Sequence, residues 1–292
     1  MENKLISIYL TVCKYSSILA EEMQRFSNNF CPKFTDEEAI TCLIFGITEQ
    51  KLKVKTCYQF IKAYWSEWFP ELWSEWFPEL PSYSRFIRRI NRLAPAIEVL
   101  VKCLIPSQYS AEINDFILDS MPIIVANSKR SRIARVASEI CDKGYCASKS
   151  MYFYGVKLHS LVQSRPHKLP TLNFCTIEPA SHSDITVGKQ MLQLARNITV
   201  YADKAYADCN WNKELKTMEN VQLYTPVKLK KGQKQIGYED KLFSSAVSSV
   251  RQPIETFFGW LQEKTCIQFA SKIRSTAGLL VFIFARIASV LF

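Results

Sequence analysis

Three carboxylates in this chain have the spacing and context to bind divalent cations: Asp119, Asp203 and Glu255. Asp119 and Asp203 each follow a short apolar run, which is typical of a buried strand. Glu255 opens an amphipathic stretch with the pattern of a helix. Two acids at strand ends and one on a later helix can meet at one side of a sheet. There they could hold two divalent cations about 3.5–4 Å apart and support in-line attack on a phosphodiester.

Other polar groups compete for such a site. Asp115 lies four residues before Asp119 on the same expected strand, but at about 3.3 Å per residue the two are roughly 13 Å apart, too far to share a metal pair. Asp184 is expected to cap a helix. His159 is expected to be a hydrogen-bonded residue of the core, with a catalytic role as the less favoured alternative.

The charge balance favours an anionic partner. The chain has 292 residues, 37 Lys and Arg against 27 Asp and Glu, a formal net charge of +10 and a pI near 9.0. Nucleic acid or a membrane surface would suit this balance, although a basic protein without a polyanionic partner remains an alternative. With 22% charged and 48% hydrophobic residues, the composition is that of a globular protein.

Membrane insertion and secretion are not expected. Residues 277–292 are nearly all apolar, but the stretch is short of the roughly 20 residues of a span and contains Arg286, so it predicts a buried C-terminal helix packed on the sheet. The N-terminus lacks the pattern of a signal peptide. The ten cysteines are scattered without close pairing, and the three histidines lie outside any zinc-ligand spacing, which favours reduced thiols in a cytoplasmic protein.

Residues 1–110 are predicted to form a helical, helix-turn-helix-like DNA-binding region. Thr35 and Glu38 have the spacing of a capping box at a helix start. A later helix in segment 81–93, capped by Ser82 or Ser84, would present apolar residues on one face and four arginines mostly on the other, which suits reading DNA or gripping phosphates. A solvated basic face is the alternative. The four arginines are Arg85, Arg88, Arg89 and Arg92.

An identical tandem repeat precedes that helix. The eight residues WSEWFPEL occur at 65–72 and again at 73–80. Two copies do not make a solenoid, and the prolines favour a looped-out insertion. The repeat could weaken activity, or it could be harmless slack in a loop.

Residues 111–292 change to an α/β pattern. Segment 129–150 is basic and irregular, and 228–250 is expected to be a loop. The resulting order, three strands followed by alternating helices and strands, predicts a ribonuclease-H-like mixed sheet flanked by helices. The expected strands are 114–121, 151–163, 171–177, 198–202 and 221–225, and the expected helices are 184–195, 208–218 and 252–264.

Four motifs in this part resemble the DDE transposases of bacterial insertion sequences. They are ILDSMPI at 117–123, YGVKLH at 154–159, YADKAY at 201–206 and RQPIETFF at 251–258. Together with the basic helix, they look closest to the insertion-sequence nine-eighty-two group. The resemblance implies a ribonuclease-H-like DDE catalytic domain at 111–292 that uses Mg²⁺ or Mn²⁺ to cut transposon ends and join the 3′ hydroxyls to target DNA.

The resemblance also assigns residues and partners. Asp119, Asp203 and Glu255 match the metal-binding triad, and Arg251 matches the arginine of the family's Y-x2-R-x3-E-x6-K signature. Ser248 and Gln262 replace its tyrosine and lysine, so the DNA contacts of those two positions are not carried over. Lys157, Lys204 and Arg251 are candidates for holding phosphates; a plain surface charge is the alternative for each. The implied partners are double-stranded DNA and further copies of the chain.

Two other functions remain open at this point. One is a nuclease of the same fold that cuts without joining. The other is a DNA-binding remnant, in which the repeat at 65–80 has impaired assembly while the triad persists.

Overall fold

The computed structural model describes residues 2–23, 34–68, 80–108, 113–147, 149–229, 233 and 235–292. Contacts divide the chain into two compact units, Met1–Leu104 with Leu261–Phe292, and Ile105–Trp260. Most of the tandem repeat lies outside the described residues, so its effect stays a prediction. The boundary between a DNA-binding region at 1–110 and a catalytic domain at 111–292 also stays a prediction.

The first unit is built from helices. Each apolar face packs against a neighbouring helix, so the buried side chains of these helices form one core. The helices begin with α1 (Glu2–Lys14), α2 (Ser16–Ala20), α3 (Asp36–Thr48), α4 (Val54–Trp68), α5 (Tyr83–Arg92) and α6 (Ala94–Leu104).

Helix α3 confirms the predicted capping box. The Thr35 side chain accepts a hydrogen bond from the Glu38 amide, and the Glu38 carboxylate accepts one from the Thr35 amide. The helix is buried along most of its length and approaches α4 closely at Gly46, where an added Cβ would lie 2.0 Å from the Cys57 sulfur. A glycine at this position therefore sets the separation of the two helices.

The apolar C-terminal segment is a helix, α10 (Thr276–Leu291), as predicted. It packs on α6 and α3 within the helical unit, so the expectation that it packs on the sheet was wrong. The buried Arg286 donates hydrogen bonds to the carbonyl oxygens of Leu52, Thr265 and Phe282. One charged side chain thus satisfies three backbone acceptors. No helix among the described ranges is long and apolar enough to cross a membrane.

The second unit contains a six-stranded mixed sheet. The strands are β1 (Asp115–Asn127), β2 (Asp142–Cys146), β3 (Met151–Gln163), β4 (Thr171–Pro179), β5 (Thr199–Ala202) and β6 (Gln222–Tyr224). The order is β2-β3-β1-β5-β6, with β4 also paired to β3. The first four strands form antiparallel pairs, whereas β1-β5 and β5-β6 are parallel.

Helices cover the parallel part of the sheet. They are α7 (Asp184–Met191) and α8 (Cys209–Glu219). Most of α9 (Tyr238–Thr265) also belongs to this unit. A cluster of buried apolar residues between strands and helices includes Leu118, Val200, Tyr206, Trp211 and Leu223. This mixed sheet with flanking helices confirms the predicted α/β class.

Two segments differ from the prediction. Strand β2 lies in the segment expected to be irregular; its Asp-Lys-Gly start has low strand propensity, and Gly144 is tolerated because β2 passes close to the Ala180 carbonyl. Helix α9 begins at Tyr238, inside the expected loop and well before the predicted start at 252. In residues 238–250 only Val247 is buried, but Leu242, Ala246 and Val250 recur four residues apart, a helical spacing that the prediction of a loop missed.

Candidate active site

Asp119 and Asp203 are neighbours because of strand register. The last parallel pair between β1 and β5 joins Leu118 to Ala202, so Asp119 and Asp203 are the next residue on each strand. Neighbouring strands lie about 4.8 Å apart. Asp203 follows the end of β5 as predicted, whereas Asp119 lies inside the long β1 and not at its end. The parallel pairing stops there, which leaves the Asp119 side chain partly exposed.

Asp203 also begins a short 3₁₀ turn, Lys204–Tyr206. Its Oδ1 accepts a hydrogen bond from the Lys204 amide at 2.7 Å. The Lys204 side chain is exposed beside it. The backbone therefore turns away directly after the acid and holds the Asp203 carboxylate at the end of the strand.

Glu255 reaches the same place from α9. It lies in the second half of that helix, not near its start as predicted, and its side chain is 59% exposed. Arg251 is four residues earlier, on the same face of the helix. Their side chains form an ion pair of 2.6 Å between Arg251 Nη2 and Glu255 Oε1.

Arg251 joins the helix acid to the strand acid. Its Nη1 donates to Asp119 Oδ2 at 2.7 Å, while Nη2 donates to Glu255. Arg251 and Asp119 are each less than one fifth exposed, at 17% and 19%. The guanidinium thus sits between two of the three predicted metal ligands, and Asp203 adds to the negative potential around it.

The contact with Arg251 compensates the negative charge of the Asp119 carboxylate only in part. Burial, with smaller contributions from the charges of Asp203 and Asp184, raises its pKa from 3.8 to about 6. The Ser120 amide and Arg251 act in the opposite direction. A carboxylate that is desolvated and faces two other acids is stabilised by an added cation.

A fourth acid, Asp184, lies next to this group. Its Oδ1 accepts a hydrogen bond from Ser120 Oγ at 3.1 Å and forms an ion pair of 3.0 Å with Lys157 Nζ. The N-cap of α7 is Ser183, so the prediction of Asp184 as the cap was wrong. Its position depends on the packing of α7 against the sheet, which leaves no local signal in the sequence beyond the Ser-Asp pair.

Lys157, a candidate phosphate ligand, is already engaged. Besides Asp184, its amine donates to the carbonyl oxygen of His182 at 3.0 Å. It lies on β3, opposite Pro122 of β1. The lysine therefore fixes the start of α7 against the sheet, and a phosphate contact would have to share or replace these bonds.

His159 is fully buried, but not as a hydrogen-bonded core residue. Neither ring nitrogen has a hydrogen-bond partner among the described residues, which overturns that expectation. Burial lowers its pKa from 6.5 to about 4, against the opposing effect of Asp184. The ring is therefore neutral at physiological pH.

The four arginines of α5 do not share one role. Arg85, Arg88 and Arg92 are exposed, and Phe86 and Ile90 form the buried face as predicted. Arg89 turns towards the unit's interior, where it pairs with Asp36 at 3.5 Å and donates to the Phe34 carbonyl. The structure thus leaves three arginines of this helix at the surface of the helical unit.

The donor chemistry suits a hard divalent cation. Carboxylate oxygens are the ligands that Mg²⁺ and Mn²⁺ take in proteins, usually with water and substrate phosphates completing the shell. Among the described residues, no three His, Cys, Asp or Glu side chains are close enough together to hold a metal ion. Arg251 stands between Asp119 and Glu255, so binding a cation requires that the guanidinium release at least one of them.

Comparison with known proteins identifies the family of this chain. A family model described as a transposase DDE domain matches residues 111–292, well over half of the chain. No curated protein and no solved structure matches. The match confirms the ribonuclease-H-like fold predicted for this region and, with it, a phosphoryl-transfer enzyme of the nuclease and transferase class that acts on DNA. The chain belongs to the DDE transposase family.

Proposed function

We propose that this transposase binds the ends of an insertion sequence, cleaves the DNA there and transfers the 3′-hydroxyl ends to target DNA by two-metal phosphoryl transfer. One observation carries the proposal. The register of β1 and β5 puts Asp119 and Asp203 side by side, and Arg251 ties Glu255 to Asp119. Two acids from neighbouring strands and a third from α9 are therefore near one another, with Arg251 between the helix acid and Asp119.

Asp119, Asp203 and Glu255 would hold Mg²⁺ or Mn²⁺. When bound, such cations neutralise charge on the phosphoryl oxygens and activate the attacking oxygen. The chain itself aligns the substrate, which is most of what phosphoryl transfer asks of a protein. The Arg251 guanidinium donates hydrogen bonds to the acids, and its parallel N–H groups suit phosphate oxygens equally well.

Arg251, Lys157 and Lys204 are proposed to contact the phosphates next to the cleaved bond. Arg251 would exchange a carboxylate for a phosphate as DNA enters, which frees the acids for the cations. In the helical unit, Arg85, Arg88 and Arg92 are proposed to grip DNA, because they are exposed on one helix. Arg89 contributes mainly by holding α5 to Asp36.

Several finer points belong to the same proposal. They are a homo-oligomer that pairs two DNA ends, residence in the bacterial cytoplasm at the nucleoid, membership of the insertion-sequence nine-eighty-two group, and a DNA-binding region at 1–110 before a catalytic domain at 111–292. They are supported by the resemblance and by the family's action on DNA.

The test is a cleavage and strand-transfer assay with the element's own end sequences and Mg²⁺ or Mn²⁺. Glu255→Gln should abolish products while DNA binding persists. Glu239→Gln is the matched control, because Glu239 is exposed on the same helix. Cleavage without joining would identify a nuclease, and binding without any product would identify a DNA-binding remnant. Products that survive Glu255→Gln would refute the assignment of the triad.

A further inference from the structure

A groove opens on the second unit beside the candidate active site. Its cavity of about 550 Å³ lies between the β2-β3 hairpin and the start of α7. The residues used below are Lys143, Tyr145, Tyr152, Lys157, Asp184 and Ala205, all of which line it. None of them belongs to the proposed triad.

Two tyrosines form an exposed aromatic surface in this groove. Tyr145 and Tyr152 are cross-strand partners in the β2-β3 ladder, and their ring centroids are 5.0 Å apart. Even as a pair they remain 51% and 54% exposed. A cross-strand pair accounts for the contact between the rings, but it leaves about half of each side chain exposed. Aromatic faces of this kind stack with the bases of single-stranded nucleic acid.

A cation lies against the same surface. The Lys143 amine is 4.7 Å from the centroid of the Tyr152 ring. A nucleotide has two matching parts, a flat base and an anionic phosphate. The combination of aromatic face and ammonium therefore complements a nucleotide, and the chain's net charge of +10 favours the approach of DNA.

The groove leads to the candidate active site. Asp184 lines it, and its carboxylate accepts the hydrogen bond from Ser120, the residue after Asp119. Ala205, also in the lining, is two residues after Asp203. A DNA strand with a phosphate at the two aspartates could therefore continue directly into the groove.

The size of the groove favours one unpaired nucleotide over a duplex. A cavity of this volume is in the range of small-molecule pockets, roughly 300–1,000 Å³. Within a duplex, base faces are stacked on one another and are unavailable to a side chain. A base must be unpaired to lie on Tyr145 or Tyr152.

We propose that the groove between the β2-β3 hairpin and α7 binds an unpaired nucleotide of the strand next to the cleaved phosphate. The base lies against Tyr145 and Tyr152, and the phosphate lies near Lys143. This assignment rests on the proposed function, since it places the scissile phosphate at the two aspartates. It assigns to the groove the recognition of single-stranded DNA at the end of the element.

The test is binding of a fluorescent oligothymidylate of about 12 nucleotides to the full chain without divalent metal, followed by anisotropy. Tyr152→Ala and Tyr145→Ala should each weaken binding roughly 5- to 150-fold, the range for loss of one stacked base. Tyr152→Phe should bind like the parent because it keeps the ring. Tyr238→Ala is the matched control, since Tyr238 is 77% exposed at the start of α9.

A blunt-ended duplex of the same length serves as the second ligand and should lose less than twofold in the alanine variants. Retained single-strand binding in both alanine variants, or an equal loss for duplex, would overturn the proposal. Unchanged circular dichroism of the variants confirms that a loss of binding is local. Because this assay requires neither metal nor Glu255, its failure is distinct from failure of the transposase reaction.

Discussion

Arg251 is the most informative single residue to change, because it contacts two predicted metal ligands at once. In Arg251→Gln, the bond to Asp119 is lost between side chains that are each less than one fifth exposed. Hydrogen bonds to charged groups in such settings are worth about 1.5–3 kcal/mol. The bond to the exposed Glu255 adds only about 0.3–0.5 kcal/mol. The expected local loss near pH 8 is therefore about 2–3 kcal/mol.

The loss of local stability in Arg251→Gln should depend on pH, and the direction of this dependence follows from the pKa of Asp119. Its pKa is already about 6 in the folded chain, above 3.8, and removing Arg251 raises it further. Near pH 5 the folded carboxyl is mostly protonated in parent and variant alike, so little charge is left uncompensated. Above the raised pKa the variant carries a buried anion without its partner. The destabilisation should therefore grow as the pH rises from 5 to 8.

Amide hydrogen exchange of peptides covering β1 and α9 measures this local stability. Near pH 8, Arg251→Gln should speed exchange roughly 30- to 150-fold relative to the parent, at 1.4 kcal/mol per factor of ten. Near pH 5 the ratio should be several-fold smaller. Lys241→Gln, an exposed change in the same helix, is the control. An equal ratio at both pH values, or no acceleration at pH 8, would refute the role given to the guanidinium.

Four further predictions concern stability and are read from urea unfolding. Gly46→Ala should lower the free energy of unfolding by about 1–3 kcal/mol, because its Cβ would strike the Cys57 sulfur. Gly259→Ala should raise the free energy of unfolding by about 0.5–1 kcal/mol, because the added Cβ would meet nothing within 4 Å. Arg286→Met should cost about 3 kcal/mol or more, since three carbonyls lose their donor. Thr35→Ala should cost about 1 kcal/mol, because the capping box is lost. An unchanged midpoint of urea unfolding in any of these variants would contradict the prediction made for it.

The features that could be predicted from the sequence are those with a local cause. The capping box of Thr35 and Glu38 depends on four consecutive residues, and it forms as expected. Strand β3 matches its predicted bounds because apolar and polar residues alternate along much of it. Asp203 follows β5 for the same reason, since the apolar run ends where the acid begins.

The features that were missed depend on tertiary packing. The first half of α9 is mostly exposed, so its apolar residues at helical spacing, Leu242, Ala246 and Val250, do not mark a buried face. The inward turn of Arg89 depends on Asp36, far away in the chain. The clearest case is Asp184, which reaches Ser120 across 64 residues only because α7 packs beside the sheet. No spacing rule in a single sequence carries such a contact.

The pairing of β1 with β5 has a consequence for how this chain tolerates insertions and deletions. The separation of Asp119 and Asp203 is set by ladder hydrogen bonds and not by the 83 residues between them. Loops between β1 and β5 can therefore lengthen or shorten over evolutionary time at little cost to the pair. A single residue gained or lost within Thr199–Ala202 would instead shift the register and turn alternate side chains to the opposite face. A change of length within these four residues of β5 would therefore separate the two aspartates, whereas a change in the loops would not.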